Sequence, residues 1–254
     1  MEFVLSGIEF AYKRKNAGQA RILKRLDLKI TSGEFVCIVG PSGCGKTTLL
    51  NILAGFLKPT GGSITLEGVS NRITPPIAMV FQEYALFPWR RVLDNIAFGL
   101  EMAHVDKKKR YEAAQDYLNM VGLAGYEQHF PHELSGGMKQ RVAIARALAN
   151  DPAVLLMDEP LGSLDAQTRV VLQRELVKIW QKTKKTIIYV THSIDEAAYL
   201  GDRVIVLSTK PTVIRQEISI ALERPRSEAA MLPYRTAIWD LINSEISQEM
   251  GKGG

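Results

Sequence analysis

Short apolar segments bounded by turn-forming residues alternate along the chain with longer amphipathic segments. The almost continuously apolar runs are FVCIV (35–39), IAMVF (77–81), AVLLM (153–157) and TIIYV (186–190). Such runs are typical of strands buried on both faces of a parallel sheet. Segments with helical periodicity lie at residues 46–56, 137–149 and 166–184. This alternation predicts an α/β fold.

The region between Gln82 and Leu134 interrupts the alternation. It contains no strand-like run, and helical periodicity appears there at residues 93–102 and 108–121. We therefore predict a helical lobe inserted in the α/β core. The predicted divisions are a core at about residues 1–83 and 150–222, a helical subdomain at about 84–149 and a helical tail at about 223–254.

Three charged or apolar patterns have simple structural explanations. The run KKKR (107–110) opens a predicted helix, and a solvated helix face is its simplest interpretation. The segment RPR (224–226) predicts a turn before the tail. An apolar stripe in the tail predicts packing against its own domain; it comprises Ile238, Leu241, Ile242 and Ile246.

The amino-acid composition indicates the cellular compartment of the protein more clearly than its function. With 254 residues and 46% hydrophobic content, the chain can bury a substantial core. Its 32 basic and 27 acidic residues give a net charge of +5. Ordinary solvated charge is the simplest interpretation of this mild excess, with contact to nucleic acid or to an anionic membrane surface as the alternatives. Cys37 and Cys44 offer neither a disulfide framework nor metal-ligand spacing, so a reducing cytosol fits best. We expect neither a signal peptide nor a membrane span, so at a membrane other chains would have to cross it.

A phosphate-binding motif follows the first apolar run. GPSGCGKT (40–47) matches G-x-x-x-x-G-K-[ST] between a predicted strand and a predicted helix. In this motif successive backbone N–H groups and the helix N-terminus surround a phosphate. We expect Lys46 to reach the β- and γ-phosphates and the Thr47 hydroxyl to bind Mg²⁺. The motif alone does not choose among kinases, GTPases and motor ATPases.

Two acidic residues end another apolar run. Asp158 should emerge at the carboxyl edge of the sheet beside the phosphate loop, where it can hold Mg²⁺ directly or through water. Glu159 should then face the γ-phosphate and polarise the attacking water. A solvated turn is the alternative interpretation of this pair.

The segment LSGGMKQR (134–141) lies between the phosphate loop and the Asp-Glu pair. Alone, it would be interpreted as a helix N-cap. The three motifs in this order resemble those of the ATP-binding cassette (ABC) ATPases, and the resemblance extends over nearly the whole chain. It implies a P-loop NTPase (RecA-like) core with a mostly parallel sheet, a small antiparallel β region and an inserted α-helical subdomain, as a single nucleotide-binding domain at residues 1–254.

The resemblance also implies roles for residues in other loops. Ser135, with Gly136 and Gly137, would contact the γ-phosphate of an ATP held by the opposite subunit. Gln82 resembles the Q-loop glutamine that senses Mg²⁺ and water, and His192 resembles the switch histidine. Asp165, after Ser163 and Leu164, resembles the D-loop at the dimer interface. Tyr12 stands where the family carries an aromatic residue that stacks on adenine, although Phe10 is close and residues 13–21 are expected to form a long loop.

ATP and Mg²⁺ are therefore the expected ligands. The expected catalytic residues are Lys46, Gln82, Glu159 and His192. The expected metal ligands are Thr47, Gln82 and Asp158. The expected nucleotide-binding residues are Tyr12, Gly40, Pro41, Ser42, Gly43, Cys44, Gly45, Lys46, Thr47, Thr48, Ser135, Gly136, Gly137 and Asp165.

Two classes of ABC protein remain to be weighed, a transporter subunit and a soluble ATPase that acts on nucleic acid or a protein complex. The segment between Thr47 and Leu134 is too short for the long coiled coil of repair and chromosome-organising members. Translation-associated members carry two cassettes, and this chain carries one. The transporter class is therefore expected, and nucleic acid is not an expected partner.

FQEYALFPWR (81–90) and RPR (224–226) resemble segments of importers for nitrate, sulfonate, taurine and bicarbonate. The short tail favours sulfonates, with nitrate or bicarbonate next. Leu161 departs from the Phe that many transporter cassettes carry. The implied partners are integral-membrane permease subunits, a second copy or a paralogous cassette and, indirectly, an extracytoplasmic substrate-binding protein. The implied location is peripheral, at the cytoplasmic face of the inner membrane. The surface from Gln82 to about Leu100, exposing Phe87, Pro88 and Trp89, is the candidate dock for a permease coupling helix, with burial in the helical lobe as the alternative.

Overall fold

The apolar runs form the predicted strands. The computed structural model describes residues 2–13, 19–67 and 76–252. The strands are β1 Glu2–Lys13, β2 Gln19–Thr31, β3 Phe35–Val39, β4 Gly61–Glu67, β5 Ile77–Val80, β6 Val154–Asp158, β7 Thr186–Val190, β8 Arg203–Leu207 and β9 Ile214–Ser219. The helices are α1 Lys46–Leu53, α2 Val92–Met102, α3 Lys107–Met120, α4 Gly136–Ala149, α5 Ala166–Thr183, α6 Ile194–Leu200 and α7 Glu228–Lys252, with a 3₁₀ turn at Pro131–Glu133.

The chain divides into two compact units. The first comprises residues 1–68 and 186–254, and the second comprises residues 69–185. The subdomain boundaries proposed from the sequence remain a prediction. Part of the loop expected at residues 13–21 lies outside the described residues, but β2 already begins at Gln19. In the described ranges, no helix combines the length and the apolar character that a bilayer crossing requires.

The first unit contains two β-structures. One is a three-stranded antiparallel sheet in the order β2-β1-β4. The other places β3 between β7 and β8, parallel to both, with β9 antiparallel to β8. Every residue of β3 and β7 is buried, which explains their continuous apolar sequences. The carboxyl ends of β3 and β7 therefore lie side by side at one edge of the sheet.

The second unit pairs β5 with β6 in parallel and contains α2, α3, α4 and α5. Helix α4 packs against β5 and against the other three helices. Helix α3 begins at the predicted charge run, where the Asp106 carboxylate accepts hydrogen bonds from the N–H groups of Lys108 and Lys109. The side chains of residues 107–109 are exposed, which confirms the solvated face.

Two elements end earlier than predicted. Helix α1 stops at Leu53 rather than at residue 56, because Gly55 adopts a left-handed conformation with φ of +79° and Phe56 is exposed. Strand β5 stops at Val80, one residue before the predicted end.

The tail packs on its own unit, as predicted. Helix α7 contacts α6 and β8. Ile238 of the apolar stripe is fully buried, whereas Leu241, Ile242 and Ile246 are half-buried. Arg226, predicted only as part of a turn, is buried and donates hydrogen bonds to the carbonyls of Ala198 and Gly201 at 2.8 and 2.6 Å. Its guanidinium group therefore satisfies carbonyls at the carboxyl end of α6, and burial lowers its pKa to about 10.

Candidate functional site

The phosphate loop folds tightly between β3 and α1. Gly45 precedes the helix with φ of +112°, and a Cβ atom there would lie 2.8 Å from the Cγ2 atom of Ile22. Only glycine meets both constraints without strain. The Cys44 N–H donates to the Pro41 carbonyl at 3.2 Å. The strand, loop and helix predicted from the motif are confirmed.

Lys46 is charged and buried at the start of α1. Its side chain is 7% exposed, and its ammonium group donates to the carbonyls of Gly40 and Pro41 at 2.9 and 3.0 Å. Because both carbonyls are neutral, neither of them neutralises the positive charge of the ammonium group. Together with the helix N-terminus, this charge makes the loop a suitable site for a phosphate group.

His192 lies at the same sheet edge as the phosphate loop. It follows β7, the parallel neighbour of the strand that leads into the loop, and its side chain is exposed. Thr191 before it is buried, and its N–H donates to the Ile38 carbonyl at 3.2 Å. The phosphate loop and His192 therefore follow neighbouring strands at one sheet edge, and the role of His192 stays a prediction.

A buried carboxylate supports the His192 segment, and sequence reasoning missed it. Glu196, in the first turn of α6, accepts hydrogen bonds from the hydroxyls of Thr191 at 2.8 Å and Tyr189 at 2.9 Å. Ser193 caps the helix by accepting from the Glu196 N–H at 3.2 Å. The sequence signal was available, because Ser193 and Glu196 have capping-box spacing.

The acidic pair ends β6 in the second unit. Asp158 is its last residue, and both Asp158 and Glu159 are half-buried. Glu159 has a φ of +43°, a left-handed conformation that is uncommon for a residue with a side chain and that clusters at functional sites. The Glu159 carbonyl accepts from the Gly162 N–H at 3.0 Å, which closes a tight turn.

The signature segment begins α4. The Ser135 hydroxyl accepts from the Met138 N–H at 3.3 Å, so it is the helix N-cap. A hydroxyl that accepts one bond still carries a proton to donate. A Cβ atom on Gly137 would lie 2.8 Å from the Cγ2 atom of Thr168, and one on Gly136 would lie 3.0 Å from the Tyr84 hydroxyl. A larger residue at Gly137 would therefore have to displace the Thr168 side chain, and one at Gly136 would press on the Tyr84 hydroxyl.

The second unit also contains the residues predicted from the other loops of the family. Tyr84 and Ser163 share a hydrogen bond of 3.3 Å between their hydroxyls. Asp165 caps α5, and the hydrogen bond from the Thr168 N–H lowers the pKa of its carboxyl. Gln82 is exposed. Leu161 is buried with Leu164 and Leu172, so this departure from the family pattern has a packing role. The ligand roles of Gln82 and Asp165 stay predictions.

Tyr12 lies on β1, in the three-stranded sheet of the first unit. Its side chain is 46% exposed, and its ring meets the edge of the Phe10 ring at a centroid distance of 4.8 Å. Phe10 is buried, so Tyr12 is the one of the two whose ring is available to a ligand.

An aromatic groove includes part of the surface predicted as a dock. A cavity of about 570 Å³ is lined by residues that include Phe81, Phe87, Phe98, Met102 and Arg146. Phe87 is half-buried, and the centroid of its ring lies 4.5 Å from that of Phe98 and 5.7 Å from that of Trp89. Trp89 is 72% exposed. Burial, the alternative prediction, thus applies in part to Phe87 and not to Trp89.

Arg146 lines this groove and holds its wall in place. Its guanidinium group donates to the carbonyls of Ala85 and Tyr84 at 2.6 and 3.1 Å and lies 5.9 Å from the centre of the Phe87 ring. Burial lowers the pKa of Arg146. These contacts hold the groove wall through a side chain that the sequence analysis did not identify.

Comparison with known proteins agrees with these features. Residues 23–162 match the family model described as ABC transporter. The chain is 49% identical over 246 residues to the nitrate import ATP-binding protein of Synechocystis sp., covering 91% of this chain and 92% of that protein. It is 47% identical over 216 residues to the taurine import ATP-binding protein of Roseobacter denitrificans, covering 84% and 80%.

A solved structure has the same fold. It is a dimeric ATP-binding cassette in a post-hydrolysis state bound to ADP and Pi, with a TM-score of 0.73 and 33% identity, covering 87% of this chain and 100% of that one. The cassette fold predicted from the motifs is thereby confirmed. The chain belongs to the ABC transporter family, as an ATP-binding subunit that hydrolyses ATP to power transport.

Proposed function

We propose that the chain is the energy-coupling subunit of an importer for a small anion of the sulfonate/taurine, nitrate or bicarbonate type. The carrying observation is the similarity, at 49% and 47% identity over most of the chain, to a nitrate import and a taurine import ATP-binding protein. A cassette contacts nucleotide and permease rather than cargo, so the substrate follows from the partners.

Lys46, the loop amides and His192 bind and orient the phosphates in this proposal. The observation behind it is that the phosphate loop and His192 end neighbouring parallel strands of one unit. Glu159 orients and polarises the attacking water, and its left-handed backbone is consistent with a constrained catalytic position. Tyr12 stacks on the adenine ring.

Thr47, Gln82 and Asp158 offer a hydroxyl, an amide oxygen and a carboxylate, which are the hard oxygen ligands that Mg²⁺ prefers. These residues would hold the ion together with the phosphates. Bound Mg²⁺ neutralises charge that develops on the phosphates. The three side chains position the nucleotide for attack by water.

The working form is a pair of cassettes, either two copies or a copy with a paralogue. Ser135 in one cassette contacts the γ-phosphate bound by the other, and Asp165 lies at the interface between them. The similar cassette structure is dimeric. ATP then stabilises the closed pair because it binds both cassettes only in that state, and hydrolysis reopens it.

The aromatic groove binds a cytoplasmic segment of an integral-membrane permease. Exposed apolar surface of this kind marks protein interfaces. Trp89 lies beside the groove, where its ring contacts that of Phe87, and it is largely exposed. The protein then lies peripherally at the cytoplasmic face of the inner membrane. An extracytoplasmic binding protein acts on it only through the permease.

Affinity purification from gently solubilised native membranes tests this function. We expect the tagged chain to recover an integral permease together with a periplasmic or lipid-anchored binding protein. The purified binding protein is then offered taurine, other sulfonates, nitrate and bicarbonate, and ATPase stimulation of the reconstituted complex identifies the cargo. Recovery of soluble or nucleic-acid-bound partners alone would overturn the importer proposal.

A further inference from the structure

The turn between β8 and β9 contacts both the phosphate loop and the C-terminal helix. Ser208 closes this turn, because its N–H donates to the Val213 carbonyl at 3.0 Å and its hydroxyl accepts from the Val213 N–H at 2.9 Å. Residues 208–213 therefore form a closed turn.

Thr212 attaches this turn to the phosphate loop. Its side chain is fully buried, and its hydroxyl donates a hydrogen bond to the Cys44 carbonyl. Its main chain bonds to β2 on both sides, from its N–H to the Ile22 carbonyl at 2.8 Å and from the Lys24 N–H to its own carbonyl at 2.9 Å. The Cys44 carbonyl belongs to the peptide that joins Cys44 to Gly45, directly before Lys46. Thr212 thus orients the peptide plane that enters α1.

Glu245 attaches the same turn to the C-terminal helix. Its side chain is buried, with a residue exposure of 5%. One carboxylate oxygen accepts from the Thr209 N–H at 3.2 Å, and the other pairs with the Arg215 guanidinium group at 3.1 Å. A buried carboxylate is costly unless it is bonded, so these contacts tie helix α7 to the turn.

We propose that Thr212 is a positioning residue for the phosphate loop and that Glu245 makes the loop's affinity for nucleotide depend on the docking of the C-terminal helix. The proposal rests on the proposed role of the loop in binding ATP. It assigns the tail a regulatory function, since anything that displaces helix α7 would loosen the turn and then the Cys44 peptide.

The physical reason is preorganisation. When the Cys44 carbonyl is held, the following N–H groups of the loop already point as a phosphate requires, and binding costs less conformational entropy. Without the Thr212 hydroxyl, a buried carbonyl loses its partner and the loop must be ordered by the ligand itself. Linkage requires the reverse effect as well, so bound nucleotide should stabilise the docked tail.

The first test uses the valine and serine variants of Thr212, with affinities for ADP and ATP measured by calorimetry. Thr212→Val should weaken both by about tenfold, because it leaves the carbonyl unsatisfied, whereas Thr212→Ser should stay within about twofold of wild type. In ATPase assays the KM should rise while kcat at saturating ATP stays unchanged. Thr209→Val is the matched control, since it removes a hydroxyl from the same turn and retains the N–H that bonds Glu245.

The second test removes the contact between helix α7 and the β8–β9 turn. Glu245→Ala should weaken nucleotide binding about threefold or more, and Glu249→Ala, an exposed glutamate of the same helix, should not. Glu245→Met is the substitute if the alanine variant folds poorly, because an apolar side chain of similar length removes both acceptor oxygens and leaves a smaller gap. Combined with Thr212→Val, the effects should be less than additive, because both act through one turn.

Amide hydrogen exchange separates coupling from a purely structural role. A purely structural role for Thr212 would not change how nucleotide protects the C-terminal helix. ADP should slow exchange in residues 241–249 of the wild type, and Thr212→Val should abolish that protection. Unchanged affinity in Thr212→Val and Glu245→Ala, with Lys46→Ala still defective, would overturn this inference alone. Failure of the wild type to bind ATP would instead overturn the proposed function of the loop.

Discussion

The carboxylate of Glu196 accepts a 2.8 Å hydrogen bond from the hydroxyl of Thr191, the residue immediately before His192. The same carboxylate accepts a second bond from the Tyr189 hydroxyl at 2.9 Å. Strand β7 and helix α6 are therefore joined by a buried polar network on either side of the His192 segment. Because the carboxylate of Glu196 is bonded to the strand that leads into His192, we expect Glu196 to act by positioning that segment.

Glu196→Ala should lower kcat more than it weakens ATP binding, because it frees the His192 segment while leaving the phosphate loop intact. It should also cost about 1–3 kcal/mol of stability, since two buried hydroxyls lose their acceptor. Steady-state ATPase kinetics and thermal unfolding check both effects. Asp195→Asn is the control, because the Asp195 side chain in the same turn is 67% exposed. A fall in stability with unchanged kcat would make the network structural only.

Glu159→Gln should bind ATP, stall hydrolysis and accumulate the closed dimer. The amide keeps the shape of the carboxylate but cannot accept a proton, so turnover should fall by at least about 100-fold. Phosphate release and size-exclusion chromatography with ATP measure the two effects. Glu112→Gln, an exposed site on α3, should behave as the wild type. Wild-type turnover in Glu159→Gln would remove Glu159 from its proposed role.

Lys46→Ala should weaken the binding of ATP itself. The lost charge-assisted hydrogen bonds are worth about 1.5–3 kcal/mol, which corresponds to at least about tenfold in affinity. Calorimetric titration measures it, with the exposed Lys58→Ala as control. Equal affinities of Lys46→Ala and wild type would contradict the assignment of the loop.

Trp89→Ala should leave the ATPase activity of the isolated chain intact and uncouple it from transport. Because Trp89 is 72% exposed, its truncation should change stability by less than about 0.5 kcal/mol. Transport by the reconstituted complex and ATPase of the isolated chain are compared, with Phe56→Ala as a second exposed aromatic site. Equal losses in the two assays would point to a role in folding.

Both thiols should be alkylated more slowly in the native protein than in the unfolded chain. Burial raises the pKa of Cys44 and raises that of Cys37 well above its usual range, and the thiolate is the reactive form. Iodoacetamide labelling across pH 7 to about 9, followed by mass spectrometry, tests this. Equal native and unfolded rates would contradict it.

The raised pKa values of the two cysteines also predict how the free energy of unfolding changes with pH. Because the native thiols hold their protons to a higher pH than the unfolded ones, the unfolded state deprotonates first. The contribution of these cysteines is therefore complete below the ordinary cysteine pKa and is lost as the pH rises above it. Denaturant titration above and below that pH checks the sign.

Local sequence was sufficient for the strand-loop-helix units. The phosphate loop, the end of β6 and the start of α4 each lie within a short stretch in which a buried run, glycines or a capping residue adjoin, so their conformations follow from neighbouring residues. Lys46, Asp158, Glu159 and Ser135 could be placed on their elements for this reason. Element ends were less accurate, because a single residue such as Gly55 decides them through its φ angle.

Contacts between distant parts of the chain needed the folded structure. The Thr212 hydroxyl bonds the Cys44 carbonyl 168 positions away, and Glu245 bonds the turn 36 positions before it. Threonine and glutamate are common and solvated in most positions, so nothing local marks these two. Their significance arises because the sheet order places the β8–β9 turn against the loop after β3. Periodicity and motifs thus identify the chemical groups, whereas packing selects the buried partners that orient them.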